Sequence, residues 1–218
     1  MPDRPDFHLL LLRHGQTDAN AAGVLQGHQP VPLNALGHRQ AARLAARVAR
    51  HRPRVAALLS SDLRRAVQTA GPVAAACGLS PVYDARWRER GFGQMEGQTV
   101  GEREMWRAAH GDSDPPGGES VAAFRERVCD AMGSVVREYG HLPAVAVMTH
   151  GGPVGVVLRL LAEGALPLAP DHDPVEIPRA GNCSVLELVR GARTGAWRVT
   201  CLNDVAHLAD LATETDSG

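Results

Sequence analysis

Two apolar runs in this chain each end directly in a histidine that is followed by glycine. Leu9 to Leu12 lead into Arg13-His14-Gly15, and Val145 to Thr149 lead into His150-Gly151. In open α/β sheets, ligands bind at the carboxyl ends of parallel strands. If the two runs are neighbouring strands, the two histidines meet in one pocket. The guanidinium of Arg13 would then be a cation beside a nucleophilic imidazole.

Helical and extended patterns alternate along the rest of the chain. Asn34 precedes helical spacing up to Val48, Ser60 to Asp62 offer capping oxygens for a helix that Gly78 stops, and Glu119-Ser120 open a long helix before Gly140. The remaining predicted elements are a helix over Pro153 to Leu161, strands at Val55 to Leu59, Val82-Tyr83, Val185 to Val189 and Trp197 to Leu202, and loops at Gly111 to Gly118 and Ala165 to Gly181. This alternation predicts a three-layer α/β/α sandwich with a mostly parallel central sheet and one antiparallel edge strand.

Length and charge limit the classes of function. The 218 residues, with a formal net charge of −1, fit one domain over residues 1–218 with a core from about residue 7 to residue 211. The basic residues are scattered, which argues against nucleic acid as a partner. The apolar run after Phe7 is about five residues long, too short for a signal peptide or a membrane span, so we expect a cytoplasmic protein without a membrane partner.

Several blocks resemble the histidine phosphatase superfamily, which includes the cofactor-dependent phosphoglycerate mutases. The first is Arg13-His14-Gly15, and the blocks extend in the same order from residue 9 to residue 208. The others are Pro32 to Ala41, Ser60 to Ala70, Arg88 to Gly97, Gly117 to Ser120 and Leu202 to Leu208. The last two resemble the phosphatase branch. Met95 stands where phosphatases of the family commonly carry Trp, a departure that leaves the neighbouring Glu in place.

The resemblance implies roles for individual residues. It implies that His14 is the nucleophile and that Glu89 is the acid and base. It also implies that Arg13, Arg65, His150 and Asn20 bind the phosphoryl group and that Gln26, Gly27 and Gly151 line the same pocket.

The chemistry of phosphoryl transfer agrees with these roles. A neutral imidazole that attacks phosphorus approaches a dianion, so fixed cations are needed, and we expect them from Arg13, Arg65 and protonated His150. No metal or cofactor is then required. By sequence alone Glu89, between Arg88 and Arg90, would pass for a surface carboxylate. Six other histidines have no metal-ligand spacing and are expected at solvated positions: His28, His38, His51, His110, His141 and His172.

The function predicted for the chain is a phosphomonoesterase of small phosphorylated metabolites that works through a phosphohistidine. A phosphoglycerate mutase is the closest alternative, but the chain has no Lys, and Arg103 and Arg107 are single residues rather than a pair. A non-catalytic module that senses a phosphate ligand and a metal-dependent hydrolase are further alternatives. The partner is a small phosphate ester, and a homodimer stays open. The natural substrate is also open, with ribazole phosphate, a sugar phosphate and a phosphoglycerate derivative among the candidates.

Overall fold

The described residues, 5–111 and 113–213 of this computed structural model, form a six-stranded sheet with helices on both faces. The strand order is β3-β2-β4-β1-β5-β6. The strands are β1 (Phe7–Arg13), β2 (Ala57–Ser60), β3 (Val82–Tyr83), β4 (Ala144–Thr149), β5 (Val185–Arg190) and β6 (Trp197–Asp204). The first four strands run parallel, and β5 is antiparallel to both its neighbours. The mostly parallel sheet is confirmed, with the antiparallel strand lying one position in from the edge.

Alternate side chains of β1 point to opposite faces of the sheet and pack into two separate hydrophobic cores. Leu9 and Leu11 pack toward α5 and α6, whereas Leu10 and Leu12 pack toward α2 and α3. The helices are α1 (Asp18–Ala21), α2 (Ala35–Ala49), α3 (Arg64–Cys77), α4 (Val100–His110), α5 (Val121–Tyr139), α6 (Gly151–Ala162) and α7 (Ala209–Thr213). A strand buried on both faces reads as a continuous apolar run, which explains why this segment stands out in the sequence. The three-layer sandwich is confirmed.

Most helix ends follow the predicted capping chemistry. The Asn34 side chain accepts from the Gly37 N–H at 2.8 Å, and Ser120 accepts from Ala123 at 3.0 Å. Helix α3 departs from the prediction, because it begins after Leu63 without a side-chain cap. The predicted capping oxygens have other partners, since Ser61 contacts His150 and Asp62 pairs with Arg88. Helix α4 was not predicted, although Thr99 and Glu102 form a capping box at its start.

Strand register brings the two histidine turns together. β1 and β4 are adjacent and parallel, with Arg13 opposite Thr149, so both turns leave the same edge of the sheet. The first turn is packed tightly, because a Cβ on Gly15 would lie 2.6 Å from the carbonyl oxygen of Gly37. This contact joins the turn to the start of α2. Within the described residues, no helix is both long and apolar enough to cross a membrane.

Candidate active site

His14 and His150 lie side by side at the carboxyl end of the sheet. Their ring centroids are 5.0 Å apart, and the side chains are 3% and 0% exposed. His14 follows β1, and His150 is the N-cap of α6. The structure therefore brings together the two histidines that the sequence placed at strand ends.

Hydrogen bonds fix the tautomer and direction of the His14 ring. Nδ1 lies 2.7 Å from the carbonyl oxygen of Gly15, which only accepts, so Nδ1 carries the hydrogen. Nε2 accepts from the Arg65 Nε–H at 3.2 Å and therefore presents a lone pair. Burial, followed by the charges of Arg65 and Arg13, holds the pKa of His14 well below its ordinary value. The ring is thus a neutral, oriented base with a nucleophilic nitrogen.

Arg65 is a buried cation with a fixed direction. Its guanidinium donates to the carbonyl oxygens of Gly27 at 2.9 Å and Gln29 at 3.2 Å, as well as to His14. The side chain is 1% exposed, and burial lowers its pKa to about 10, which still leaves it charged at neutral pH. The loop at Gly27 thus holds Arg65 through a backbone carbonyl.

Two buried nitrogens in this pocket lack a hydrogen-bond partner among the described residues, Nε of Arg13 and Nδ1 of His150. Arg13 also donates to the carbonyl oxygen of Ala180, and His150 Nε2 lies 2.8 Å from Ser61 Oγ. An unpaired buried donor costs about 1–3 kcal/mol. A phosphoryl oxygen between these side chains would satisfy both nitrogens.

The prediction that His150 is protonated does not hold for the pocket as it stands. Burial, followed by the positive charge of Arg65, holds the pKa of His150 well below its ordinary value. Among the described residues, this ring contacts the Ser61 hydroxyl and is hydrogen-bonded to no carboxylate. The ring is therefore neutral, and the permanent positive charge of the pocket comes from arginines.

Three other predicted residues lie around this pocket. Asn20 closes the capping box of α1 with Thr17, and its Oδ1 accepts from Asn182 Nδ2 at 3.1 Å. Gln26 is buried and accepts from Thr17 Oγ1 at 3.0 Å. Gly151 begins α6, where a Cβ would lie 3.7 Å from Arg13 Nε. Asn20 and Gln26 are thus tied into the wall, and Gly151 lies against Arg13.

Glu89 is held by two backbone N–H groups, one of its neighbour Arg90 and one at the start of α6. Oε1 accepts from Arg90 N at 2.9 Å, and Oε2 accepts from Gly152 N at 3.0 Å. A Cβ on Gly152 would lie 1.8 Å from Oε1, so a larger residue there would displace the carboxylate. The flanking cations are engaged elsewhere, since Arg88 pairs with Asp62 at 2.5 Å and Arg90 pairs with Asp114 at 2.6 Å. Glu89 is therefore not neutralised by these arginines, and its charge acts on Arg13 and Arg65 in the pocket, where it opposes the lowering of their pKa by burial.

Arg127 is a supporting residue that the sequence did not single out. Its guanidinium donates to the carbonyl oxygens of Arg86, Arg88 and Glu89 at 2.8, 3.0 and 3.3 Å. Glu119 holds it in turn, at 2.6 and 2.8 Å. This pair fixes the backbone that carries Glu89. The family-like block ending in Glu119-Ser120 was a signal for one half of the pair, but nothing marked the Arg.

Arginines also gather at the rim of the pocket. Arg103 of α4 is half-buried, stacks on Phe92 at 5.2 Å, and has its pKa lowered by burial and by the charges of Arg107 and Arg90. Exposed Arg179 lies close enough to lower the pKa of Arg13. Arg103 and Arg107 are single residues in the sequence, as expected, but α4 and the segment near Arg90 bring their charges close together.

His51 is not at a solvated position. It is 5% exposed and lies 2.9 Å from Glu187, which also contacts His8. The pairing joins residues 136 positions apart in the sequence, so spacing gave no sign of it. This cluster lies at the opposite end of β1 from the pocket.

Comparisons with known proteins match most of the chain. The family model described as histidine phosphatase superfamily (branch 1) matches residues 9–205. Phosphoglycerate mutase-like protein 4 of Arabidopsis thaliana is 34% identical, over 93% of this chain and 87% of its own length. Probable phosphoglycerate mutase GpmB of Proteus mirabilis is 31% identical, over 94% and 97%.

Solved structures agree. A mycobacterial glucosyl-3-phosphoglycerate phosphatase superimposes with a TM-score of 0.74 at 27% identity, covering 90% of this chain and 98% of that one. A phosphoglycerate mutase from Bacillus anthracis has a TM-score of 0.78 at 20% identity, covering 95% and 97%, which shows likeness of fold. The chain therefore belongs to the histidine phosphatase superfamily, branch 1.

Proposed function

We propose that this protein is a phosphomonoesterase that hydrolyses small phosphorylated metabolites through a phosphohistidine at His14. The observation that carries the proposal is the His14 ring itself. It is neutral, its Nδ1 is held by a carbonyl, and its Nε2 lies beside the buried cation Arg65. An oriented nucleophile next to fixed positive charge is what attack on a phosphate dianion requires.

In the first step, Nε2 of His14 attacks phosphorus and the ester P–O bond breaks. Arg13 and Arg65 stabilise the charge that spreads over the phosphoryl oxygens. Ser61 Oγ donates to His150 Nε2, which leaves Nδ1–H to bind a phosphoryl oxygen. The bound dianion also raises the pKa of His150, so its positive charge appears only when substrate is present.

Glu89 handles the protons. In its protonated form it gives a proton to the departing ester oxygen, because an alkoxide is a poor leaving group. In the second step, the Glu89 carboxylate takes a proton from water as that water attacks phosphorus. The N–P bond breaks, His14 is regenerated, and inorganic phosphate is released.

The rim supports a substrate class. Glucosyl-3-phosphoglycerate phosphatase and the proteins named phosphoglycerate mutase carry a phosphorylated glycerate in their names, and such molecules have a carboxylate near the phosphate. Arg103 and Arg179 are placed to meet a second negative group. We propose that the preferred substrates are phosphate esters with a second anionic group.

Hydrolysis is favoured over mutase activity. A mutase retains the dephosphorylated intermediate through several charge-assisted contacts and returns the phosphoryl group to it. Arg90 is already paired with Asp114, and Arg179 is exposed. Because Arg103 and Arg179 lie on an open rim, they hold the intermediate weakly, so it escapes and water attacks instead.

The test compares phosphate release with isomerisation in the same preparation. We expect release from 3-phosphoglycerate and from an aryl phosphate to be far faster than conversion of 3-phosphoglycerate to 2-phosphoglycerate, and to be unchanged in EDTA. Rapid isomerisation that depends on a bisphosphoglycerate primer would establish the mutase instead. Binding of phosphate without turnover of either ester would establish a sensing module, and a loss in EDTA reversed by one divalent ion would establish a metal-dependent hydrolase.

A further inference from the structure

Two histidines and a carboxylate lie close together at the amino-terminal end of β1, opposite to the end that leads into His14. Nδ1 of His8 lies 2.8 Å from Oε1 of Glu187, and Nε2 of His51 lies 2.9 Å from the same oxygen. All three ligand atoms lie within 4.8 Å of one another. The side chains of His8, His51 and Glu187 are 22%, 5% and 13% exposed.

The tautomer of His51 determines how its ring contacts Glu187. Its Nδ1 lies 2.7 Å from the carbonyl oxygen of Pro53 and must carry a hydrogen there. In the neutral ring, Nε2 is then a lone pair that faces a carboxylate oxygen. That contact is repulsive unless a second proton or a metal cation lies between the two atoms. Metal-binding histidines commonly donate the other ring N–H to a backbone carbonyl in this way.

We propose that His8 Nδ1, His51 Nε2 and Glu187 Oε1 form a binding site for a Zn²⁺-like transition-metal ion. Two imidazoles and one carboxylate are a ligand set that suits zinc. Zinc bonds of about 2.0–2.2 Å in a tetrahedral arrangement separate ligand atoms by about 3.3 Å. Each nitrogen–oxygen distance therefore needs to lengthen by about half an ångström, and the two nitrogens, at most 4.8 Å apart, need to approach each other by at most about 1.5 Å. The partial exposure of His8 admits water to the fourth position.

Protons and the metal compete for this site. Hydrogen bonding to Glu187 raises the pKa of His51, and the two histidines lower the pKa of Glu187 to about 2. Arg47 opposes positive charge on His51, although Asp204 lies 3.6 Å from Arg47 and offsets part of that charge. Zn²⁺ binding displaces the His51 proton, so affinity falls as the pH is lowered.

The site would lie apart from the phosphoryl chemistry at His14. His8 and His14 are six residue steps apart along β1, or about 20 Å of extended chain. The ligands come from β1, from β5 and from the segment after α2, so the ion would tie the first strand, the antiparallel strand and that helix together. Binding should therefore raise the melting temperature without entering the chemistry at His14.

The experiment uses the full chain, free of any affinity tag and stripped with a chelator, in equilibrium dialysis against Zn²⁺. We expect one ion per chain, with a rise in Tm of about 5–10 °C at a hundredfold excess of free Zn²⁺ over Kd. Titration calorimetry in two buffers of different ionisation enthalpy should detect proton release near pH 6.5.

Glu187→Gln and His8→Gln should each weaken Zn²⁺ binding by at least about tenfold. His8→Gln leaves the His51–Glu187 contact in place, so it remains informative if Glu187→Gln fails to fold. His38→Gln, on the exposed face of α2, is the matched control and should bind as the original protein does. No saturable binding, or binding unchanged in both ligand variants, would overturn the site. Neither result bears on phosphatase activity, which is measured separately.

Discussion

The floor and the rim of the pocket are built differently. The floor holds His14, Arg65 and His150, which are at most 3% exposed, and His14 and Arg65 are hydrogen-bonded to backbone carbonyls. The rim holds Arg103 and Arg179, on α4 and on the irregular segment before β5, and Arg179 is exposed. A rigid, desolvated floor favours one type of chemistry, whereas side chains on an open rim select among substrates. Changes in the floor should therefore affect kcat, and changes in the rim should affect KM.

The largest effect is expected from His14→Ala. Without the nucleophile no phosphoenzyme forms, so turnover should fall by about 10⁴–10⁶-fold. The protein is incubated with a radioactive phosphate donor and quenched rapidly in base. The acid-labile, base-stable phosphate label on the protein should disappear together with turnover. His38→Ala is the matched control and should retain both. Label that persists in the His14→Ala protein would move the nucleophile to another residue.

Glu89→Gln should slow turnover of alkyl phosphates by about 10²–10⁴-fold, the scale for loss of a general acid and base. Activated aryl phosphates should lose less, because their leaving groups need little protonation. Gln keeps an oxygen that can accept from Gly152, so the fold should be unchanged. Glu163→Gln, a surface residue paired with Arg125, is the control. Equal loss on both substrate types would remove proton transfer from the role of Glu89.

The floor was largely predictable from the sequence, because its residues lie in continuous local motifs. Apolar runs specify strands, and a histidine at the end of each strand needs only the adjacency of β1 and β4 to form a pocket. Glycines mark where backbone or carboxylate comes close, as Gly152 does for Glu89. The protonation of His150 was not predictable in this way, because it depends on burial from every side.

The parts that were missed depend on contacts between distant segments. Arg127 reaches carbonyls 38 to 41 residues away, and His51 meets Glu187 across 136 residues. Arg103 lies in α4, an amphipathic helix in a stretch that carried no family motif. A cation without a motif is indistinguishable from a solvated one until the fold brings other charges beside it.

At the rim, Arg103→Gln should raise KM about tenfold for 3-phosphoglycerate while leaving kcat within about twofold. An exposed or half-exposed ion pair with a substrate carboxylate is a modest interaction, which sets this scale. An aryl phosphate without a second anion should show little change. Arg64→Gln, next to the buried Arg65 but exposed, is the control. A fall in kcat on both substrates would place Arg103 in the floor and break the comparison.

The smallest effect is a pH-dependent cost in stability that the floor should show and the rim should not. Burial lowers the pKa of His14 and His150 in the folded protein, whereas the unfolded chain titrates near pH 6.5. The unfolded state therefore binds more protons below pH 6.5, and stability falls as the pH falls. From pH 7.5 to pH 6, each such histidine should favour unfolding by about fourfold.

His207, whose pKa burial also lowers, adds to the dependence of stability on pH. His51, whose pKa is raised, contributes stability that is complete below pH 6.5 and is lost only as the pH rises through its folded value.

The measurement is urea unfolding at several pH values. Unfolding of His150→Asn should depend less on pH between 7.5 and 6 than unfolding of the original protein. Arg179→Gln should keep the original slope, and an equal slope in all three proteins would mean that the floor histidines are not held neutral by burial.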